Sequence, residues 1–237
     1  MLQIEHLTKT YGEKKAVDDL SLHILPGEIY GFIGHNGAGK TTTLKSVAGI
    51  LRFDAGEIRI AGTSIRTDPL ACKRKIAYIP DNPDLYDYMT GIQYLNFIAN
   101  IFGVSAADRQ VRIRELAERF ELTNDLAQPI AAYSHGMKQK LASISAWLHA
   151  PQLVVMDEPF VGLDPKAAHL LKGMMRELCD RGGAIFFSTH VLEVAEKLCD
   201  KVAILRAGKL IRSGTMDEVK GDDSLEEVFL ELEGETC

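Results

Sequence analysis

Residues 34–41 have the types and the spacing of a phosphate-binding loop. They read GHNGAGKT and match the pattern G-x-x-x-x-G-K-[ST] at every fixed position. The glycines allow backbone N–H groups to converge on oxyanions, and a helix that begins here would direct its positive end at them. Lys40 supplies a full positive charge for the β- and γ-phosphates, while the Thr41 hydroxyl can reach Mg²⁺. The run predicts a nucleoside triphosphate site, against the alternative of a glycine-rich turn with a solvated lysine.

An adjacent pair of carboxylates, Asp157 and Glu158, follows an apolar run at 153–156. Ligands gather at the carboxyl ends of the strands of a parallel sheet. There, one carboxylate can hold Mg²⁺ and the next can orient or deprotonate an attacking water. The alternative is a helix start, because Pro159 follows and acidic residues favour the first turn of a helix. Together with the loop, the pair favours metal-assisted phosphoryl chemistry.

Apolar patterning indicates the elements that would position these residues. Residues 28–33 predict a short buried strand before the loop, and 42–48 predict a helix after it. Alternating runs predict an antiparallel β layer at 2–7, 20–25 and 57–60; apolar runs predict parallel strands at 76–79, 153–156, 184–187 and 202–205. Helical patterns separate the last three runs, whereas 90–150 shows almost no strand pattern. The sequence therefore predicts an α/β core with a mainly helical block inserted into it.

The composition is that of an ordinary globular protein, with a formal net charge of −6 over 237 residues. That charge provides no general attraction for nucleic acid or an anionic membrane, so we expect no nucleic-acid partner. No C-x-x-C pair occurs among the cysteines, which predicts reduced thiols in the cytoplasm at Cys72, Cys179, Cys199 and Cys237. No signal-peptide pattern or long apolar span is present, so we expect that the chain does not cross a membrane by itself.

A third motif, YSHGM at 133–137 followed by KQK, completes a resemblance that runs almost end to end. With it the chain resembles the nucleotide-binding domain of an ATP-binding cassette (ABC) protein, whose signature is usually LSGGQ. The Ser134 hydroxyl and the Gly136 N–H can donate to phosphate oxygens at the positive end of a helix. The resemblance implies that Ser134, His135, Gly136 and Met137 face the ATP of a second ATP-binding subunit, as in a homodimer. The alternative is an ordinary helix start with Ser134 as its cap.

The resemblance implies a P-loop NTPase (RecA-like) core with a mainly parallel sheet, an N-terminal antiparallel β layer and an inserted helical subdomain. It assigns one ABC ATPase domain to 1–237, with the core at 1–89 and 151–220, the helical subdomain at 90–150 and an acidic C-terminal tail at 221–237. The tail's acidic residues on their own indicate no more than a solvated face.

The resemblance also implies roles for individual residues. Glu158, His190 and Lys40 would be catalytic, and Asp164, in a Gly-Leu-Asp-Pro turn, would belong to the D-loop that crosses the dimer interface. Tyr11 would stack on adenine. The implied nucleotide-binding residues are Tyr11, Gly34, Asn36, Gly37, Ala38, Gly39, Lys40, Thr41 and Thr42; the implied Mg²⁺ residues are Thr41, Asp157 and Asp81. The alternatives are a plain turn at Asp164, a structural histidine at 190 and local packing of Tyr11.

The chain departs from the family pattern at the Q-loop and in the signature. Asp81 stands where the family normally has glutamine, and its shorter arm would reach Mg²⁺ through water or not at all. His135 and Met137 replace the second and fifth residues of the signature, while Ser134 and Gly136 remain. Because that core survives, we expect catalysis to persist.

The signature variant, the loop at 81–88 and the tail at 224–230 resemble the ATPase subunits of ABC-2 type exporters. This implies that MgATP hydrolysis drives export through a separate transmembrane permease subunit, at the cytoplasmic face of the membrane. Leu85, Tyr86 and Tyr88 would receive a short helix of that partner, or alternatively pack inward. Other readings are a plain P-loop kinase and a cytosolic ABC ATPase acting on a macromolecular complex. Proteins of the latter kind usually carry two cassettes, a long coiled coil or zinc ligands, and this sequence shows none of these.

Overall fold

The computed structural model describes residues 1–234, which form two β-sheets with helices packed around them. In chain order, the strands are β1 Leu2–Tyr11, β2 Lys14–Ile24, β3 Ile29–Ile33, β4 Ala55–Ile60, β5 Thr63–Ser64, β6 Ile76–Ile79, β7 Leu153–Asp157, β8 Ala184–Thr189, β9 Lys201–Arg206 and β10 Lys209–Thr215. The helices are α1 Lys40–Val47, α2 Pro69–Lys75, α3 Gly91–Ile101, α4 Ala106–Arg119, α5 His135–Trp147, α6 Pro165–Asp180, α7 Leu192–Leu198, α8 Met216–Lys220 and α9 Leu225–Gly234.

The first sheet is antiparallel, in the order β2-β1-β4-β5. Leu2 lies opposite Ile24 on one side and Ile60 on the other. Alternation buries Leu2 and Ile4 against the core, as a half-solvated antiparallel sheet requires. A register shift between Ile4 and Leu7, where His6 has φ 51°, returns Leu7 to the same buried face. This confirms the predicted antiparallel β layer.

The second sheet has the order β10-β9-β3-β8-β7-β6, and all its pairs are parallel except β9 with β10. The predicted buried strands therefore form the parallel sheet of a P-loop NTPase core. The sheet is covered on both faces: Val155 of β7 packs with the antiparallel layer and α1, whereas Val154 packs with the helices on the other side. Strand β10 was not predicted, because it lies at the sheet edge and its residues are mostly exposed.

Helices α3, α4 and α5 follow one another between β6 and β7. Each begins at a polar cap that accepts a backbone N–H bond, namely Thr90, Ser105 and Ser134. Helix α5 begins at His135, directly after its cap Ser134. Leu95, Leu116 and Leu141 pack into the same core as the sheet, so this helical block is continuous with the rest of the protein.

The tail is not simply a solvated acidic face. Helix α9 buries Leu225, Val228 and Phe229 and leaves Glu226 and Glu227 exposed. The charges were visible in the sequence, but the apolar residues between them have helical spacing and form a packed face. Residues 235–237 lie outside the described part of the chain, and so does the reduced thiol predicted at Cys237.

Cys72, Cys179 and Cys199 are buried free thiols. Burial raises the pKa of the Cys179 thiol to about 11, so this group stays protonated and unreactive at neutral pH. Across residues 1–234, none of the helices combines the length and the apolar character needed to cross a membrane.

Gly31 of β3 tests the packing between the sheet and α7. A Cβ at this position would lie 2.6 Å from the Sγ atom of Cys199, so Gly31→Ala overpacks the core. We expect the free energy of unfolding to fall by about 1–3 kcal/mol in urea titrations. The control is Gly173→Ala on the exposed face of α6, where a Cβ meets no atom within 4 Å; it should gain up to about 1 kcal/mol. Adding Cys199→Ala to Gly31→Ala should cost less than the two single changes summed. An unchanged urea midpoint for Gly31→Ala would contradict this packing.

Candidate active site

The loop at 34–41 joins β3 to α1 and passes very close to neighbouring backbone. A Cβ on Gly34 would lie 2.5 Å from the carbonyl oxygen of Leu205, and one on Gly39 would overlap with the carbonyl oxygen of Ala16. Gly37 and Gly39 also have positive φ angles of 83° and 109°. The glycines are therefore required both by the space and by the left-handed backbone. The result is a curved loop that ends at the N-terminus of α1.

Lys40 is almost fully buried inside this loop. Its Nζ atom donates to the carbonyl oxygens of Gly34 and His35, the latter at 3.2 Å, and lies 3.8 Å from Oε1 of Glu158. Burial lowers the pKa of Lys40, and the carboxylates of Glu158 and Asp157 oppose that shift. Because the ammonium group has little water around it, an incoming phosphate can replace carbonyl contacts rather than a full hydration shell.

Glu158 lies between Lys40 and His190. Its Oε2 atom is 3.0 Å from Nδ1 of His190 and accepts the His190 backbone N–H at 3.3 Å. The backbone at Glu158 is left-handed, with φ 48°, a conformation that costs a residue other than glycine of order 1 kcal/mol or more. The alternative of a helix start at this pair is wrong, since the next helix, α6, begins at Pro165.

Ser188, at the end of β8, holds the acidic pair in place and was not identified from the sequence. Its hydroxyl donates to Oδ1 of Asp157 at 2.5 Å and accepts the N–H of Glu158 at 3.1 Å. All three groups are largely withdrawn from solvent, so these bonds are protected from competition by water. The only sequence signal was a serine at the end of a predicted strand.

A cleft of about 330 Å³ gathers most of the residues singled out from the sequence. Its walls include the predicted Tyr11, Asn36, Gly37, Gly39, Lys40, Thr41, Thr42, Asp81, Asp157 and Glu158. Lys14, Ala16 and His35 also line it, and sequence reasoning did not single them out. Tyr11 is 52% exposed, so a face of its ring is available to a planar ligand. Gly34 and Ala38 lie in the loop but do not line the cleft, and His190 reaches it through Glu158.

The residues at 134–137 lie outside this cleft. Ser134 and His135 are exposed at the start of α5, where the Ser134 side chain accepts the N–H of Met137 at 3.2 Å. Ser134 is thus the helix cap that the alternative reading expected, with its α5 N-terminus facing solvent. The ring of His135 rests against Gly162, so closely that a Cβ added to Gly162 would overlap with the ring.

Three consecutive residues of α5 connect it to separate loops of the core. Lys138 pairs with Asp87 at 2.7 Å, and Gln139 donates to the carbonyl oxygen of Asp81 at 2.5 Å. Lys140 pairs at 2.7 Å with Asp164, which also caps α6 through the N–H of Ala167. The Lys140 ammonium group lowers the pKa of the Asp164 carboxyl. Side-chain contacts therefore join α5 both to the loop that holds Asp81 and Asp87 and to the loop at Asp164.

The oxygen groups of the cleft suit a magnesium ion that accompanies a phosphate chain. Thr41, Asp81 and Asp157 all line it, and each carries a side-chain oxygen of the kind that binds this ion. Across 1–234, no three His, Cys, Asp or Glu side chains cluster as a metal-binding group. This fits Mg²⁺, which usually binds to one or two carboxylates, substrate phosphates and water rather than to an all-protein cage.

Comparison with known proteins identifies the family of this chain. The family model described as "ABC transporter" matches residues 17–161, which include the phosphate loop, the residues at 134–137 and the acidic pair. The chain belongs to the ABC transporter family, as an ATP-binding cassette.

Relatives and solved structures match over almost the whole chain. The ABC-type transporter ATP-binding protein EcsA of Bacillus subtilis is 34% identical and covers 98% of this chain and 96% of its own. The Nod factor export ATP-binding protein I of Paraburkholderia xenovorans is 37% identical, over 90% of this chain and 70% of its own. A solved structure titled as the ATP binding subunit of an ABC transporter has a TM-score of 0.94 and 36% identity, over 98% of this chain and 99% of its own.

Gly162 tests whether the contact with His135 matters for hydrolysis. Gly162→Ala places a Cβ against the His135 ring and strains a backbone at φ 80°. If residues 134–137 complete the site of a facing subunit, as the resemblance implies, displacing His135 should lower the ATPase rate by roughly 10- to 100-fold, because small misplacements near reacting groups are costly. Gly182→Ala is the control, with φ 86° and nothing within 4 Å of its Cβ. Both variants should lose about 1 kcal/mol of stability, but only the first should lose activity. Equal rates would show that the contact is not needed.

Proposed function

We propose that this chain is the ATP-hydrolysing subunit of an exporter whose membrane-spanning part is a separate chain. The observation that carries the proposal is the cleft in which Lys40, Thr41, Asp157 and Glu158 lie together beside an exposed tyrosine ring. A phosphate-binding loop, an acidic pair and an aromatic surface in one cleft suit a nucleoside triphosphate and water as reactants.

ATP binds with its phosphates in the loop at 34–41 and its adenine on Tyr11. Backbone N–H groups and the N-terminus of α1 meet the phosphate oxygens, and Lys40 exchanges its contact with the His35 carbonyl for the β- and γ-phosphates. Thr41 and Asp157 would hold Mg²⁺, Asp81 would contact it through water, and the ion would offset charge on the phosphates.

Glu158 orients the water that attacks the γ-phosphate, and His190 contacts that phosphate. The pair is already joined at 3.0 Å, so the two groups have a fixed relation before the substrate arrives. As the water oxygen bonds to the γ-phosphorus, Glu158 accepts a proton from the water, and the bond from that phosphorus to the β–γ bridging oxygen breaks. ADP is the leaving group, and Lys40 offsets the negative charge that develops on its β-phosphate. The Ser188 bonds hold the carboxylates in place, which reduces the reorganisation needed in the transition state.

A second ATP-binding subunit, most simply a second copy of this chain, completes each site. In support, Ser134 and His135 are exposed and do not line the cleft of their own chain. The cap hydroxyl, the Gly136 N–H and the α5 N-terminus are then available to the γ-phosphate of the facing subunit. Closure of the two subunits excludes water and strengthens the charge contacts inside.

The membrane partner docks beside the loop at 81–88, on the cytoplasmic face of the membrane. Leu85 is buried in the core, so it packs inward and is removed from the docking surface expected from the sequence. Tyr86 and Tyr88 remain: Tyr88 is 79% exposed, and its ring lies 5.8 Å from that of Tyr86. Export, rather than import, is supported by the relative from Paraburkholderia xenovorans, which is named as a Nod factor export protein.

Glu158→Gln tests the hydrolysis mechanism. The amide cannot accept the proton of the attacking water, so we expect the ATPase rate to fall by roughly 10²–10⁴-fold. ATP binding should be retained, and a dimer should accumulate in size-exclusion chromatography with ATP. Glu193→Gln, an exposed change on α7, should leave rate and oligomeric state unchanged. Near-normal turnover in Glu158→Gln would remove this residue from its role.

Tyr86→Ser combined with Tyr88→Ser tests the docking surface. Loss of both rings should lower the membrane-bound fraction of the chain in its native host by roughly fivefold or more. This corresponds to a loss of about 1 kcal/mol in the free energy of binding to the membrane partner. ATPase activity of the isolated chain should change by less than about twofold, because neither ring lines the cleft. Leu70→Ser on α2 removes a similarly exposed apolar group elsewhere. If it lowers membrane binding equally, the tyrosines are not a specific surface.

A further inference from the structure

Helix α9, formed by the tail motif at 224–230, is fixed to the core on several sides. Ser224 and Glu227 form a reciprocal cap, in which each backbone N–H donates to the other's side chain at 2.8 and 3.2 Å. Leu225 and Val228 are buried in the same core as Ala195 of α7 and Val219 of α8, the two helices that α9 contacts. The Arg206 guanidinium donates to the carbonyl oxygen of Leu232. The helix is therefore held in a defined position rather than lying loosely on the surface.

One side chain of α9 reaches the phosphate-binding loop. Phe229 is 8% exposed, and its ring meets the ring of His35 edge-on, with centroids 5.0 Å apart and planes inclined at 61°. This is the favoured geometry for an aromatic pair. The two residues are far apart in the chain, so the contact exists only in the folded protein.

His35 is a junction inside the loop. Its carbonyl oxygen accepts the Lys40 ammonium at 3.2 Å and the N–H of Ala38 at 3.1 Å. The turn after β9 supports the opposite end of the loop, because the N–H of Gly208 donates to the carbonyl oxygen of Ala38 at 2.9 Å. Phe229 thus acts on the residue whose backbone organises the first turn of the loop.

We propose that Phe229 is a positioning residue for nucleotide binding, which holds the phosphate loop in its binding conformation through the ring of His35. The inference deepens the proposed function, since it rests on ATP binding at 34–41. Without the ring contact the loop occupies other conformations for part of the time. The apparent affinity for nucleotide then falls in proportion to the fraction of molecules whose loop is in the binding conformation. The loop cradles phosphates common to ATP and ADP, so both nucleotides lose affinity alike.

The test compares Phe229→Leu with Leu230→Ala by titrating the purified chain with ATP and with ADP. The leucine of Phe229→Leu keeps an apolar side chain between α9 and the phosphate loop but removes the aromatic edge. The control residue, Leu230, is the next residue of α9 and is 60% exposed. We expect Phe229→Leu to raise both dissociation constants about three- to tenfold, as loss of an aromatic pair predicts. Leu230→Ala should bind as the unchanged chain does.

Steady-state kinetics separate positioning from a purely structural role. Phe229→Leu should raise KM for ATP by the same factor and leave kcat within about twofold, because the saturated loop is again in place. Phe229→Trp, which keeps a ring edge, should recover most of the affinity. A lower melting temperature with unchanged dissociation constants would overturn the proposal, since it would make Phe229 a packing residue only.

A double-mutant cycle with His35→Ala identifies the contact itself. In the His35→Ala chain, Phe229→Leu should change nucleotide affinity by less than about twofold, because the partner ring is already gone. A full additive effect would show that α9 acts by another route. If the unchanged chain binds no ATP, the proposed function fails, whereas normal ATP binding together with an unaffected Phe229→Leu defeats only this inference.

Discussion

The position of β8 between β3 and β7 is the constraint on which the site depends. β8 pairs in parallel with both strands, so that Thr189 lies opposite Ile33 and Ser188 lies opposite Asp157. The phosphate loop, the acidic pair and His190 therefore leave the sheet at the same edge. Because side chains alternate across a strand, a slip of one residue would move Ser188 away from Asp157 and expose the buried faces. The hydrophobic contacts on both faces of the sheet prevent that slip.

The same edge carries local strain and unusually close packing. Glu158 has a left-handed backbone, and the loop at 34–41 passes within contact distance of Leu205 and Ala16 at glycines. Such features persist only where the surrounding structure determines them strongly. Here the Ser188 hydroxyl, the Lys40 contacts and the turn after β9 provide that support. They position charged and polar groups before any substrate binds, which is the condition for electrostatic stabilisation of a transition state.

Much of the architecture could be predicted, because its determinants are local. Apolar runs identified β6 to β9, and alternation identified the antiparallel layer, since both patterns follow from which faces are buried. Strand β10 and helix α2 were missed, the first because an edge strand is largely exposed and the second because it is short and polar. Leu85 was placed on a docking surface, but its neighbours in space bury it. Burial of a single loop residue depends on contacts that periodicity does not record.

The sequence alone determined the chemistry of the site: a glycine-rich loop with Lys40 and Thr41, an acidic pair after a strand, and a serine cap at the start of a helix. These motifs are short, so the few backbone bonds between their residues fix the relative positions of the side chains. The tertiary structure alone decided that Ser188 binds both acidic residues, that α5 connects to the loops at Asp81 and Asp164, and that Phe229 rests on His35. These contacts join residues far apart in the chain, and only the strand order and the packing of helices on the sheet bring them together.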